Sequence, residues 1–81
     1  MEFIIYLLIN ESKDKTYVGF SDNIERRVLE HRGKKVKTTK DFGGFTYKVL
    51  EKVSDIRLAR EAERYWKSSS GRKRIKDIFK K

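Results

Sequence analysis

The chain has 81 residues, with no cysteine, no proline and one histidine. We expect one domain over residues 1–81, and we exclude a disulfide framework, a thiolate metal site and a zinc cluster. The longest apolar run, residues 3–9, is too short to span a bilayer and has no signal-peptide pattern around it. The composition therefore indicates a soluble cytoplasmic protein that does not use a membrane.

The net charge is +9, and the positive charge is concentrated in two segments. Residues 32–40 carry five positive charges and no acid, and residues 72–81 carry six positive charges against one acid. Such segments are typical of a surface that binds a polyphosphate partner, with an affinity that falls as salt rises. The alternative is a solvated loop and a frayed tail.

The first two elements are predicted to form a hairpin. Two β-rich runs, residues 3–10 and 16–20, flank a polar turn at residues 11–14. Within the second run Gly19 packs nothing and costs backbone entropy. A bulge, a bend or the close approach of another backbone or a ligand must compensate for this glycine.

Side-chain alternation places two tyrosines together in this hairpin. Tyr6 lies on the opposite face of the first run from Ile5 and Leu7, and strand pairing brings Tyr6 near Tyr17. Their hydroxyl groups then lie close together beside Gly19. The alternative is an ordinary pair of amphipathic tyrosines at the edge of a core.

A capping-box pattern, Asp22 with Glu25, predicts a helix that runs to about His31 and ends at Gly33. Arg27 and His31 are i, i+4 neighbours on this helix and project together. A guanidinium matches phosphate oxygens, and an imidazole can pass a proton near neutral pH. The alternative is a solvated pair in which Arg27 pairs with a nearby acid and the histidine is idle.

The second half of the chain predicts one strand and two helices. Alternating residues at 45–53 predict a third strand, and Asp55 can cap a helix that runs to about Lys67. Residues 68–71 are expected to break that helix, and residues 72–81 predict a basic amphipathic helix or tail. The order ββαβαα implies an α+β domain with a small, mainly antiparallel three-stranded sheet flanked by helices.

Glu63 is an unusual residue of the second predicted helix. Ile56, Ala59 and Trp66 are spaced as a core stripe, and Glu63 falls on that stripe. A carboxylate held toward a core needs a compensating partner, and a divalent cation such as Mg²⁺ would serve. The alternative is an ion pair with Lys67 at an exposed edge.

Taken together, these segments resemble a GIY-YIG nuclease domain. The likeness rests on five segments in order: residues 4–6 (IIY), 17–19 (YVG), 25–31 (ERRVLEH), 36–40 (VKTTK) and 59–72, which carry an A-x-x-x-E-x-x-x-K-S-x-x-G-R pattern. Two positions depart from the family pattern, because isoleucine replaces the first glycine of the signature and Ala62 stands where relatives often have arginine. Neither position is expected to carry the chemistry.

The resemblance implies metal-dependent hydrolysis of a DNA phosphodiester, with Mg²⁺ or Mn²⁺ as the cofactor. It implies that Glu63 holds the metal, that Arg27 neutralises the charge developing on the phosphate, and that Tyr6, supported by Tyr17, aligns the attacking water. Because tyrosine has a pKa of about 10, Tyr6 serves as a base only if Arg27 or the metal lowers that pKa. His31 is the competing general base.

The resemblance also implies a DNA-binding surface that holds the duplex by its backbone, which orients DNA without reading its sequence. The residues assigned to this surface are Gly19, Arg32, Lys34, Lys35, Lys37, Thr38, Thr39, Lys40, Lys67, Arg72 and Lys73.

The expected function is an endonuclease of DNA repair, recombination or processing, guided by DNA structure or only weakly specific. A chain of this size leaves no room for a separate targeting domain, so either a partner protein supplies specificity or the protein recognises DNA shape weakly. The alternative is a non-catalytic nucleic-acid-binding module on the same scaffold. A third class, a membrane-surface or protein-binding domain, would use the C-terminal tail.

Overall fold

The computed structural model describes residues 2–10, 15–33 and 44–79. Its elements are β1 (Phe3–Asn10), β2 (Thr16–Ser21), α1 (Ile24–Arg32), β3 (Phe45–Val53), α2 (Ile56–Lys67) and α3 (Ser69–Phe79). The predicted α+β class and the order ββαβαα are confirmed. The predicted turn at residues 11–14 and most of the basic loop, residues 34–40, lie outside the described residues.

The three strands form one antiparallel sheet in the order β2-β1-β3, with β1 in the centre. Tyr6 lies opposite Gly19 on one side and opposite Val49 on the other. Since directly paired residues share a face of the sheet, Tyr6 and Gly19 point the same way. The pairing with β3 shifts register between Ile5 and Tyr6, where β3 contains one extra residue, Leu50.

Alternation along β1 divides the core into two clusters, one on each face of the sheet. The cluster on the α2 and α3 side contains Ile5, Leu7, Ile9, Val18, Ala59, Trp66 and Ile75. The cluster on the α1 side contains Tyr6, Leu8, Val28 and Phe45. The face assignments made from the sequence are confirmed, except that Ile56 is 46% exposed and does not belong to the core stripe of α2.

Helix α1 begins one residue later than the capping-box pattern indicates. The N-cap is Asn23, whose side-chain oxygen accepts a hydrogen bond from the backbone N–H of Arg26. Asp22 instead pairs through its carboxylate with the Arg26 guanidinium, at 3.1 Å. Asparagine and aspartate are comparable N-caps, so the residue that directly precedes the first turn takes this role.

Helices α2 and α3 are separated by Ser68 alone, and α3 starts at Ser69. The prediction that residues 68–71 break the helix is therefore wrong beyond Ser68, because Gly71 lies inside α3. Trp66 connects the two helices to the sheet: its indole N–H donates to the Glu51 carboxylate at 2.7 Å, and the Arg74 guanidinium lies 4.9 Å from its ring centroid. None of the helices described is long and apolar enough to cross a membrane.

Candidate active site

The phenol of Tyr6 is in contact with two side chains of α1. Its oxygen lies 3.0 Å from His31 Nε2 and accepts a hydrogen bond from Arg27 Nε at 3.3 Å. Arg27 and His31 are four residues apart, so they lie on the same side of α1, and the buried Val28 anchors that side to the sheet. Glu30 lies 3.6 Å from the Arg27 guanidinium and pairs with it. The alternative interpretation from the sequence is that His31 has no role and that Arg27 pairs with an acid. The contact with Tyr6 excludes the first part, whereas the second part is present.

Tyr17 completes an aromatic group around Tyr6. The Tyr17 ring centroid lies 6.2 Å from that of Tyr6 and 5.2 Å from that of His31. Tyr6 and His31 are fully buried or nearly so, while Tyr17 and Arg27 are partly exposed. From the other side of the sheet, the Lys67 ammonium reaches to 5.7 Å from the Tyr17 ring centroid. Tyr17 therefore lies where the α1 and α2 sides of the molecule meet.

Position 19 must be a glycine because other side chains lie very close to its backbone. A Cβ at this position would lie 2.7 Å from the Tyr6 hydroxyl oxygen and 2.9 Å from Cε2 of Tyr17. The backbone of Gly19 does not adopt the left-handed conformation, and the register is regular where it pairs with Tyr6. Of the three explanations that the sequence leaves open, the structure favours close approach, but the approaching group is the side chain of Tyr6 and not a backbone or a ligand.

Gly19→Ala is expected to fold with a loss of about 1 kcal/mol and to cleave DNA at least about tenfold more slowly, because the new methyl displaces the Tyr6 hydroxyl from its partners. Thermal unfolding and a nicking assay measure the two effects. Gly33→Ala is the matched control, since Gly33 is exposed and has an ordinary φ of −77°. A Gly19→Ala protein with both wild-type stability and wild-type cleavage contradicts the close-approach explanation.

Burial controls the protonation of this cluster. Burial raises the pKa of Tyr6 to about 12, although the hydrogen bond from Arg27 opposes the change. Arg27 alone therefore does not bring this pKa below its ordinary value of 10, and Tyr6 is a neutral phenol near pH 7. Burial, and then the charge of Arg27, lower the pKa of His31, against a smaller opposing effect of Glu30. His31 is thus neutral near pH 7 and can accept a proton.

His31→Gln is expected to remove part of the pH dependence of stability. The pKa of His31 is lower in the folded protein than its ordinary 6.5. Below pH 6.5 the unfolded chain therefore binds a proton that the folded chain does not, and stability falls as the pH falls. Denaturant unfolding at about pH 7.5 and about pH 5.5 measures this loss. The wild type should lose more stability than the variant, and equal losses contradict the assignment.

Glu63 lies at the border of the core stripe of α2. Its side chain is 27% exposed and its carboxylate pairs with the Lys67 ammonium at 3.6 Å. The ion pair of the sequence alternative is therefore present. Glu63 is also close enough to the tyrosine cluster for its charge to contribute to the raised pKa of Tyr6. The carboxylate of Glu63 is therefore near the cluster, on the α2 side of the molecule.

The donor set near Glu63 fits a hard divalent cation held by few protein ligands. Among the described residues, no group of three or more His, Cys, Asp or Glu side chains could hold a metal ion. Mg²⁺ is often held by one or two carboxylates, with waters and substrate phosphate completing its coordination. The partly exposed carboxylate of Glu63 fits that arrangement.

The residues assigned to DNA binding divide into two groups. Arg72 lines a groove with Tyr17 and Lys67, Lys73 is exposed on α3, and the Arg32 guanidinium lies 4.9 Å from the ring centroid of Phe45. The loop residues of that assignment lie outside the described residues: Lys34, Lys35, Lys37, Thr38, Thr39 and Lys40.

Two arginines that the sequence interpretation missed lie beside Glu63. Arg60 and Arg64 line a groove that also contains Glu63, Lys67 and Phe20. Arg60, Glu63, Arg64 and Lys67 are spaced i, i+3, i+4 and i+7, which places them on one face of α2. This spacing is the signal by which the sequence could have revealed them.

Comparison with known proteins identifies the family of the chain. A family model described as the GIY-YIG catalytic domain matches residues 2–76. Neither the curated proteins nor the solved structures contain a match to the chain. The matched residues include the three described strands and helices α1 and α2. They therefore include Tyr6 of β1, Tyr17 of β2, Arg27 and His31 of α1, and Glu63 of α2. The chain therefore belongs to the GIY-YIG catalytic domain family, a family of endonucleases.

Proposed function

We propose that this protein hydrolyses DNA phosphodiester bonds with the help of Mg²⁺ or Mn²⁺. The observation that carries the proposal is the joint contact of the Tyr6 hydroxyl with Arg27 and His31. A neutral phenol between a permanent cation and a neutral imidazole can take part in proton transfer while the cation faces a phosphate. Structural tyrosines in a core have no need of both neighbours.

Proton transfer runs through Tyr6 to His31 in this proposal. Arg27 can only donate, so the Tyr6 oxygen accepts from it. The proposal takes neutral His31 in the tautomer that carries its proton on Nδ1, so that the Tyr6 hydroxyl donates to Nε2. The attacking water gives its proton to Tyr6 as Tyr6 gives its own to His31. A free tyrosinate is then not required, which agrees with a Tyr6 pKa of about 12. Because Tyr6 is fully buried, Tyr17 must shift when DNA binds so that water can reach it.

Arg27 and Glu63 face the phosphate from the two sides of the site. The side chain of Arg27 is 31% exposed, so its guanidinium can contact phosphate oxygens while it keeps Tyr6 in place. The Glu63 carboxylate holds the divalent cation, and Lys67 must then turn from Glu63 toward the DNA. When bound, Mg²⁺ or Mn²⁺ supplies positive charge that stabilises the leaving oxygen.

The proposed substrate is duplex or branched DNA, recognised by shape or with weak sequence preference, in repair, recombination or processing. The +9 net charge supports backbone binding, and phosphate contacts orient the DNA without reading its sequence. A partner protein that supplies specificity is part of the same proposal.

The test is to incubate the wild-type protein with supercoiled, branched and single-stranded DNA, each with Mg²⁺, Mn²⁺ or EDTA. Cleavage that requires the cation supports the endonuclease, and the preferred DNA identifies the substrate class. Binding of all three DNAs without cleavage in any metal supports a non-catalytic module instead.

A further inference from the structure

The groove beside Glu63 contains cations that no carboxylate of the described chain neutralises. Arg60 and Arg64 are exposed on α2 and neither forms an ion pair or hydrogen bond with another described residue. Lys67, in the same groove, pairs with Glu63. Half-buried Phe20 of β2 also lines the groove.

The arginines of α1 are arranged differently. Arg26 pairs with Asp22 at 3.1 Å, and Arg27 lies 3.6 Å from Glu30. Both of these pairs follow the i, i+4 or i, i+3 spacing that stabilises an isolated helix. On α2 the i, i+4 spacing joins two like charges, Arg60 and Arg64, which repel each other. The i, i+3 spacing also brings Glu63 near Arg60 and Glu61 near Arg64, but neither arginine forms an ion pair with a described carboxylate.

A polyanion offsets this repulsion. Residues four apart on a helix are about 6 Å apart along its axis, and one DNA strand carries one charge per about 3.4 Å of duplex axis. Arg60 and Arg64 can therefore contact phosphates that are one or two nucleotides apart. Glu63 lies between Arg60 and Arg64 in sequence and lines the same groove. A phosphate between the two that contact the arginines is therefore next to Glu63.

We infer that the DNA strand to be cleaved lies along this face of α2, with Arg60 and Arg64 contacting phosphates on either side of the one at Glu63. This inference rests on the proposed function and adds to it two phosphate contacts on α2, Arg60 and Arg64, beyond the residues assigned to DNA binding from the sequence.

The test compares two double variants that each remove two positive charges. Arg60→Gln/Arg64→Gln changes the groove, whereas Lys48→Gln/Lys52→Gln changes exposed positions of β3, at the opposite edge of the sheet from β2. A fluorescent 20-base-pair duplex is titrated in EDTA at salt concentrations between about 50 and 200 mM. The groove variant should lower the slope of log affinity against log salt by about 1.8, and the β3 variant should change it much less.

Thermal unfolding controls for the fold. Because the loss of Arg60–Arg64 repulsion offsets the loss of weak attraction to Glu61 and Glu63, the groove variant should unfold near the wild-type temperature. If the double variant fails to fold, each single variant should still lower the salt slope by about 0.9.

Equal slopes for the groove and β3 variants, or a wild type that does not bind the duplex, overturn the inference. The assay contains no metal, so it is independent of cleavage. If the groove variant lowers the salt slope but the wild type does not nick DNA in Mg²⁺, only the proposed function is contradicted. If the wild type nicks DNA in Mg²⁺ but the two variants have equal slopes, only this inference is contradicted.

Discussion

Arg27→Lys is expected to slow DNA cleavage by about 100-fold and to leave DNA affinity within about threefold of wild type. The Arg27 guanidinium contacts Tyr6 through Nε and Glu30 through a terminal nitrogen at 3.6 Å. A lysine ammonium lacks the rigid planar fork of the guanidinium, so it cannot hold the Tyr6 oxygen and a phosphate in the same fixed geometry. Since the positive charge is kept, binding to the DNA backbone persists. The variant loses stabilisation of the transition state instead. Single-turnover cleavage and duplex binding in EDTA measure the two quantities.

Arg26→Lys is the control for this prediction. Arg26 is the preceding residue of α1, its side chain is 58% exposed, and it pairs with Asp22 and Glu30 on the helix surface. Its replacement should change neither cleavage nor binding, because exposed ion pairs of this kind contribute little. Equal cleavage rates for the two lysine variants contradict the assignment of Arg27.

Gly71→Ala is expected to destabilise the fold by about 3 kcal/mol and to lower the thermal midpoint by more than about 10 °C. A Cβ on Gly71 would overlap the carbonyl oxygen of Tyr65 and the backbone of Trp66. These are main-chain atoms at the end of α2 and cannot turn aside as a side chain can. Helix propensity favours alanine by about 1 kcal/mol, so overpacking should exceed it. Differential scanning calorimetry measures the midpoint.

Ser70→Ala gives the opposite expectation at the adjacent position. Ser70 is exposed in the same turn of α3, so alanine there should be neutral or slightly stabilising. A Gly71→Ala protein as stable as Ser70→Ala would show that α3 can move away from α2, and the tight contact at Gly71 would then be refuted.

Strands and helices with strong periodic patterns were predictable from the sequence. Alternation along β1 assigns Tyr6 to one face and Ile5 and Leu7 to the other, and both core clusters follow it. The i, i+4 spacing likewise places Arg27 and His31 on the same side of α1. Local spacing determines these features, so tertiary contacts did not change them.

Features that depend on contacts between elements were not predictable. A serine and glycine stretch normally breaks a helix, yet Gly71 lies within α3 because close packing against α2 requires a residue without a side chain. The raised pKa of Tyr6 has a similar origin, since burial by both helix and sheet outweighs the favourable hydrogen bond from Arg27. The sequence indicated that Arg27 is a neighbour of Tyr6, but it did not indicate how deeply Tyr6 is buried.

Glu63 shows how far the site could be predicted. Its two alternatives, a metal ligand or an ion pair with Lys67, were equally compatible with the helical spacing. The structure contains the ion pair and also places the carboxylate where its charge reaches Tyr6. Arg60 and Arg64 have the same spacing from Glu63, and only the groove that they share with it distinguishes them from ordinary surface residues.

Metal-dependent nicking of supercoiled DNA by the wild type and by Glu63→Ala tests the central claim most directly. The wild type should nick the DNA in Mg²⁺ or Mn²⁺ and not in EDTA, because Glu63 would hold the cation in the proposed mechanism. Glu63→Ala should bind the DNA at least as tightly, since it loses a negative charge, and should nick it at least about 100-fold more slowly. Equal nicking by the two proteins, or binding by the wild type without nicking in either metal, would contradict a nuclease site built on Tyr6, Arg27, His31 and Glu63.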